Sequence, residues 1–153
     1  KPALEARDIL GILSTSSTLI QGHTIVVSGD SSLHMVPGWF YDPERHASGE
    51  TMFINKIDAD LAFYRRVLEG DADNQVPGCP GMNPETTGRL LSAFKDDEAL
   101  WLDENWTWHR HVWEAVVEAF RKAGQSESEA LLQARLIRVL REPDYSWDTE
   151  EVH

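Results

Sequence analysis

The apolar pattern changes period near residue 56, and that switch limits the chain to short strands first and amphipathic helices afterwards. Upstream, Thr24, Ile25, Val26 and Val27 form a β-branched run ended by Gly29 and Asp30. A second extended run covers 33–40 and is interrupted by Pro37 and Gly38, as a bulge or edge position would be, because proline cannot donate to a ladder. Residues 51–55 give a third. Residues 29–32, a hairpin length, separate the first two runs. The longer 41–50 connection to the third should project as a loop. Ahead of them, Ala6, Ile9, Leu10 and Leu13 fall at helical spacing, and the hydroxyls of 14–18 stop that helix.

Downstream the period is helical. Ile57, Leu61, Tyr64 and Leu68 share a face, with Gly70 as the C-terminal cap. Residues 71–83 form a loop, and Asn83-Pro84 reads as an N-cap with proline in the first turn. Leu90, Leu91 and Phe94 mark the next helix, and 106–123 a strong one, with a short turn or helix at 96–104 between them. Ser126 and Glu129 form a capping box, opening a helix with Leu132, Leu136, Val139 and Leu140 on one stripe. Pro143 stops it, and Arg138 and Arg141 suit its C-terminal dipole. The expected fold is α+β: a small antiparallel three-stranded sheet with about five helices packed mainly on one face. An all-helical protein with a β-hairpin insertion is the alternative. The 153 residues should form one domain, with a helix and β-meander at 1–56, a helical part at 57–141 and an acidic solvated tail at 142–153.

Charge bounds the partners. There are 14 Lys+Arg and 26 Asp+Glu, a formal −12. Residues 1–70 hold 6 basic and 9 acidic side chains, and 71–153 hold 8 and 17. A field of that sign in the second half disfavours nucleic acid there and favours a basic protein partner. No apolar run approaches the ~20 residues that span a bilayer, so no membrane partner is expected. The sequence has no basic start followed by an apolar stretch and a cleavage site, which argues against a retained signal peptide. Starting at Lys1 rather than Met suggests an excised domain. One cysteine, Cys79, excludes an internal disulfide and a cysteine-based zinc site, and makes a cytoplasmic address the default.

The densest polar and aromatic stretch runs from His23 to Glu50 and holds half of the six histidines. His34, in a strand, and His46, in the following loop, are the candidate base and acid, since imidazole titrates near neutrality. Asp42 would orient one ring, and Arg45 would stabilise an anion by paired hydrogen bonds. Trp39, Tyr41 and Asp30 would line the substrate. No metal or other cofactor is expected. His109 and His111 lie two apart, so on a helix they point to opposite sides and cannot share an ion. His109 aligns with Trp113, Val116 and Phe120 as a core-edge histidine bonded to a carbonyl. Cys79, within a Gly/Pro turn, presents a thiol that would need a nearby base to act as a nucleophile. Six tryptophans, four of them from Trp101 to Trp113, serve as core anchors or, if exposed, as a docking surface.

Three fragments resemble known families. Residues 24–31 resemble the first block of the Gly-Asp-Ser esterases, 108–110 the copper-site helix of tyrosinases, and 14–16 with Glu127 and Glu129 parts of ADP-ribosyltransferases. Each lacks its family's remaining motifs, so the sequence is assigned to none. The leading reading is a small catalytic domain, toxin- or effector-like, that uses histidine acid–base chemistry for hydrolysis or group transfer on a polar small molecule or polymer. The alternative is a non-enzymatic acidic module, of inhibitor or immunity type, that binds a basic partner.

Overall fold

The computed structural model describes residues 4–45, 49–95 and 107–153. The chain divides into two compact units, residues 1–60 with 139–153 and residues 61–138. The architecture is α+β, with five helices and a small three-stranded sheet among the described residues.

The first unit opens with α1 (Ala6–Thr15), capped by a reciprocal pair in which Glu5 and Asp8 each accept the other's backbone N–H. Its buried side carries Gly11 and Ile12, whereas Ile9 and Leu10, expected inside, are exposed. Gly11 decides this: a Cβ there would strike the carbonyl oxygen of Leu140, so that side of the helix is pressed onto the returning chain.

Strands β1 (Ile25–Val27), β2 (Gly38–Tyr41) and β3 (Met52–Ile54) lie in that order. β2 and β3 pair antiparallel, as expected, but β1 and β2 pair parallel. Asp30 explains the difference. Its side chain accepts the Ser32 N–H at 2.8 Å and starts a 3-10 helix, η1 (Ser31–Met35), instead of a hairpin turn. The chain therefore crosses over before β2 begins at Gly38. Leu33, Met35 and Val36 are buried with Ile12, Val26, Phe40, Ile54 and Val139 in the core of this unit.

The expected solvated tail is in part built in. Residues 142–144 form a 3-10 turn, η2 (Glu142–Asp144), and β4 (Tyr145–Ser146) pairs antiparallel with β5 (Glu151–Val152). The Glu142 N–H donates to the Thr15 hydroxyl at 2.9 Å, and Arg141 is buried.

Helix α2 (Lys56–Glu69) is capped by Asn55, which accepts the Asp58 N–H at 2.8 Å. From Leu61 on it belongs to the second unit, with α3 (Pro84–Lys95), α4 (Thr107–Lys122) and α5 (Glu127–Ile137). The expected caps are present. Asn83 accepts the N–H groups of Glu85 and Thr86 at 3.0 Å, and Ser126 and Glu129 form the capping box. Gly70 ends α2 with φ +84°. On α5 the buried residues are Ala130, Gln133, Ala134 and Ile137, while Leu132 and Leu136 face out. The expected leucine stripe is thus on the wrong side, because Gln133 is drawn inward by the loop described below. The tryptophans at 101 and 106 and the acidic stretch 96–104 lie outside the described residues. Trp108 is buried and donates its indole N–H to the Phe94 carbonyl at 3.0 Å.

Candidate functional site

The 30–45 segment brings some of the expected site residues together and separates others. Asp42 follows β2 and is buried. Its Oδ1 accepts the N–H groups of Glu44 (2.9 Å) and Arg45 (3.2 Å), and its Oδ2 lies 3.6 Å from the Arg45 Nε. Asp42 and Arg45 are therefore joined, with the carboxylate holding its own turn and the arginine side chain 73% exposed. His34 sits in η1 rather than in a strand, half-buried, with its ring edge-on to Phe40 at 4.8 Å. Phe40 faces the buried side of the sheet. Trp39 and Tyr41 face the other side, by the two-residue alternation of a strand, and so do not line a hollow with His34. Trp39 instead packs edge-on against Phe53 at 5.3 Å. Asp30 is committed to capping η1. His46 lies outside the described residues, and with it the pairing of His34 and His46.

The other chemical candidates resolve differently. His109 and His111 lie on α4, half-buried and exposed respectively. Tyr64 Oη is 3.2 Å from the His109 Nδ1. Cys79 is buried rather than presented on the turn, and burial pushes its thiol pKa up, away from the thiolate a nucleophile needs. Among the described residues no group of three or more His, Cys, Asp or Glu side chains is placed to hold a metal ion, and no helix is long and apolar enough to cross a membrane.

The second unit also holds a tightly packed α2–loop–α3 hairpin. Gly70 and Gly78 press backbone on backbone. With φ +75°, Gly78 has no room for a Cβ, which would stand 2.5 Å from the Gly70 nitrogen. Asp71 and Val76 exchange two backbone hydrogen bonds, at 2.7 and 2.8 Å. Gln133, on α5, clamps Gly78 from both sides: its Oε1 accepts the Gly78 N–H at 2.7 Å and its Nε2 donates to the Gly78 carbonyl at 3.3 Å. The Asp71 carboxylate accepts from the Asn74 amide at 2.9 Å and faces the Arg66 Nε at 3.1 Å. Burial alone would raise its pKa. The Asn74 side chain, the Arg66 charge and the N–H groups of Asn74 and Asp73 outweigh that and hold it below the ordinary value. Sequence reasoning found the loop but not the clamp, whose two members are 55 residues apart.

No protein-family model matches the chain, and no solved structure matches it significantly. It is similar to proteins named flap endonuclease Xni: 27% identical over 99 residues to that of Shewanella oneidensis, covering 61% of this chain, and 29% over 97 residues to that of Shewanella amazonensis, covering 60%. A third relative, from a Shewanella species, is 26% identical over 104 residues and 64% of this chain. The chain spans 38 to 40% of the length of these relatives. The likeness overturns the expectation that the acidic second half excludes nucleic acid, since these relatives are named as endonucleases. The physical reason is that a linear half is not a structural unit. Much of the acid counted there lies at 142–153, in the first unit, or at 96–104. The second unit, 61–138, carries nine Lys or Arg and thirteen Asp or Glu, five of the acids at 96–104, so it is less acidic than the linear half.

Proposed function

We propose that this chain forms part of a hydrolase that cleaves phosphodiester bonds in nucleic acid. The likeness to proteins named flap endonuclease carries the reading. Two features of the second unit support it. With nine basic against thirteen acidic residues, it repels a polyanion far less than the charge of the linear half implies. Its hairpin loop is held by Gln133, and its exposed residues at 72–75, 80 and 81 are small or uncharged except Asp73, so a phosphate backbone can come close to the main chain. Arg65 and Arg89 flank the hairpin. Gly88 leaves room for the Arg65 guanidinium, which lies 4.0 Å from where a Cβ would stand, and Arg89 is exposed on α3. These two arginines are the proposed phosphate contacts.

Hydrolysis adds water across the P–O bond: a base takes the proton of the attacking water and an acid protonates the leaving oxygen. His34 and His46 are the proposed base and acid. Arg45 is the proposed stabiliser of the negative charge on the non-bridging oxygens of the phosphoryl group. Asp42 is a positioning residue that fixes the turn from which Arg45 extends.

Binding and cleavage test the reading separately. A fluorescein-labelled DNA duplex with a single-stranded flap should bind this chain more tightly than a blunt duplex. Arg65→Glu and Arg89→Glu should each weaken binding and lower the slope of log K against log salt by about one. On denaturing gels, His34→Ala should cut strand cleavage by about 10²-fold or more. Binding with cleavage that His34→Ala does not change removes the histidine assignment. No binding at low salt overturns the nucleic-acid reading itself.

A further inference from the structure

One side chain of α5 restrains the loop between α2 and α3 from beneath. Gln133 is buried, and both ends of its amide are spent on Gly78: Oε1 accepts the Gly78 N–H at 2.7 Å and Nε2 donates to the Gly78 carbonyl at 3.3 Å. The next N–H, that of Cys79, donates to the Leu68 carbonyl in the last turn of α2 at 2.8 Å, and the Met82 N–H donates back to the Cys79 carbonyl at 3.1 Å. The chain is thus pinned to α5 at Gly78 and to α2 at Cys79 before Pro80 and Gly81 come to the surface and α3 begins at Pro84. Gly78 has no side chain to hold it, and glycine leaves a φ of +75° at little cost. Gln133 supplies the restraint that the residue itself lacks.

We propose that Gln133 is a positioning residue for nucleic-acid binding: by presenting a donor and an acceptor together to Gly78, it holds the 80–83 turn in the form that a phosphate backbone meets. The inference rests on the nucleic-acid reading of the same loop. It adds a chemical requirement, because the side chain at 133 must donate and accept at once. Leucine does neither. An ionised carboxylate accepts the Gly78 N–H but sets a second acceptor against the Gly78 carbonyl. A protonated carboxyl does both, with its O–H as the donor. A side chain that only filled space would work equally well in the last two forms, which differ by one proton. A loop released from the clamp is competent for part of the time, and its affinity falls by that fraction.

The test follows anisotropy of the fluorescein-labelled flap duplex from about pH 5 to 8, in the cold, with circular dichroism showing that each chain is folded. Burial beside the Gly78 carbonyl raises the carboxyl introduced by Gln133→Glu above the ordinary glutamate value, about 4.3, so its proton returns within that range. Gln133→Glu should bind about tenfold more weakly than the parent near pH 8 and within about twofold of it near pH 5. Gln133→Leu should be weak throughout, and Leu132→Ala, on the exposed side of α5, should follow the parent. Taking the ratio to the parent cancels the histidines, and Asp71, held low by Asn74 and Arg66, stays ionised over the range. Without DNA, hydrogen exchange at the Gly78 amide, corrected for its intrinsic rate, should be protected in the parent and unprotected in Gln133→Leu. Folded variants that lose this protection yet bind like the parent overturn the inference and leave the nucleic-acid reading standing. A loss in Gln133→Glu that is equal at both ends of the range overturns it too, as does a Gly78 amide that stays protected in Gln133→Leu. A parent that binds no flap duplex at low salt removes the nucleic-acid reading and this inference with it. If Gln133→Leu fails to fold, the titration of Gln133→Glu decides alone.

Discussion

Arg141 donates from Nη1 to the Asp60 carboxylate at 2.6 Å, while its Nε and Nη2 both donate to the Met35 carbonyl. Both charged side chains are buried. One guanidinium thus joins the segment after α5, the end of η1 and the first turn of α2, all within the first unit. Removing one member of such a pair leaves the other charge buried and alone, at a cost of about 3–5 kcal/mol. Arg141→Met and Asp60→Leu should each lower stability by about that amount in urea titrations. The double variant should recover much of the loss, because two apolar side chains then replace two charges. If the single variants lose under about 1 kcal/mol, water reaches the pair and this account of it is wrong.

Gln133 should matter more than the leucines around it. Gln133→Leu strands the N–H and carbonyl of Gly78 in a buried place, and an unsatisfied buried polar group costs about 1–3 kcal/mol. Leu132→Ala and Leu136→Ala, on the exposed side of α5, should change stability by less than about 0.5 kcal/mol. Denaturant midpoints of the three variants give the comparison directly.

That contrast also shows which parts of the molecule were legible in the sequence. Helix ends were, because their determinants are local: Asn83 before Pro84, Ser126 three residues before Glu129, and Gly70 in the left-handed region. Helix faces were not, wherever a distant backbone chose them. Gly11 is inside because the Leu140 carbonyl lies against it, and Gln133 is inside because Gly78 needs a donor and an acceptor. Counting apolar residues cannot see either demand. The parallel pairing of β1 with β2 turned on Asp30, which reads equally well as a turn residue or as a helix cap. In the candidate site the sequence suggests Asp42 as the orienter of a histidine ring, and does not show that the carboxylate is spent on its own turn and on Arg45.

Acid should open the 70–83 loop. Asp71 has its pKa lowered in the folded state, so the stability it contributes is fully present above the ordinary carboxylate value, about 3.9. It is lost as pH falls through the lower folded value. Asp71→Asn should therefore be less stable than the parent at pH 7, with the gap closing as pH falls below about 4. Urea midpoints measured from pH 2 to 6 test this. A gap that stays constant over that range would show that the charge of Asp71 contributes nothing.

Cys79 should behave as a buried thiol. Its raised pKa and its burial both keep thiolate away from reagent. Labelling with iodoacetamide at pH 8 should be slow in buffer and should speed up sharply across the urea unfolding transition. Fast labelling of the native chain would place the sulfur at the surface. Cys79→Ala should leave any cleavage of flap DNA unchanged, because the sulfur has no imidazole partner among its described contacts.

Three glycines separate backbone strain from steric exclusion. Gly124 has φ +80° and open space around it, so Gly124→Ala pays only for the left-handed conformation, about 1–2 kcal/mol. Gly11 lies in α1, where alanine is favoured, but a Cβ there meets the Leu140 carbonyl, and a backbone atom cannot swing aside. Gly78 combines both problems, with φ +75° and the Gly70 nitrogen 2.5 Å from the added carbon. Stability should fall least for Gly124→Ala, more for Gly11→Ala despite its helical setting, and most for Gly78→Ala, which should melt the loop and loosen the Gln133 clamp. Circular-dichroism melts of the three variants rank them. A Gly11→Ala chain as stable as the parent would mean that α1 and the 139–141 segment are not in backbone contact, and the first unit as described would have to be redrawn.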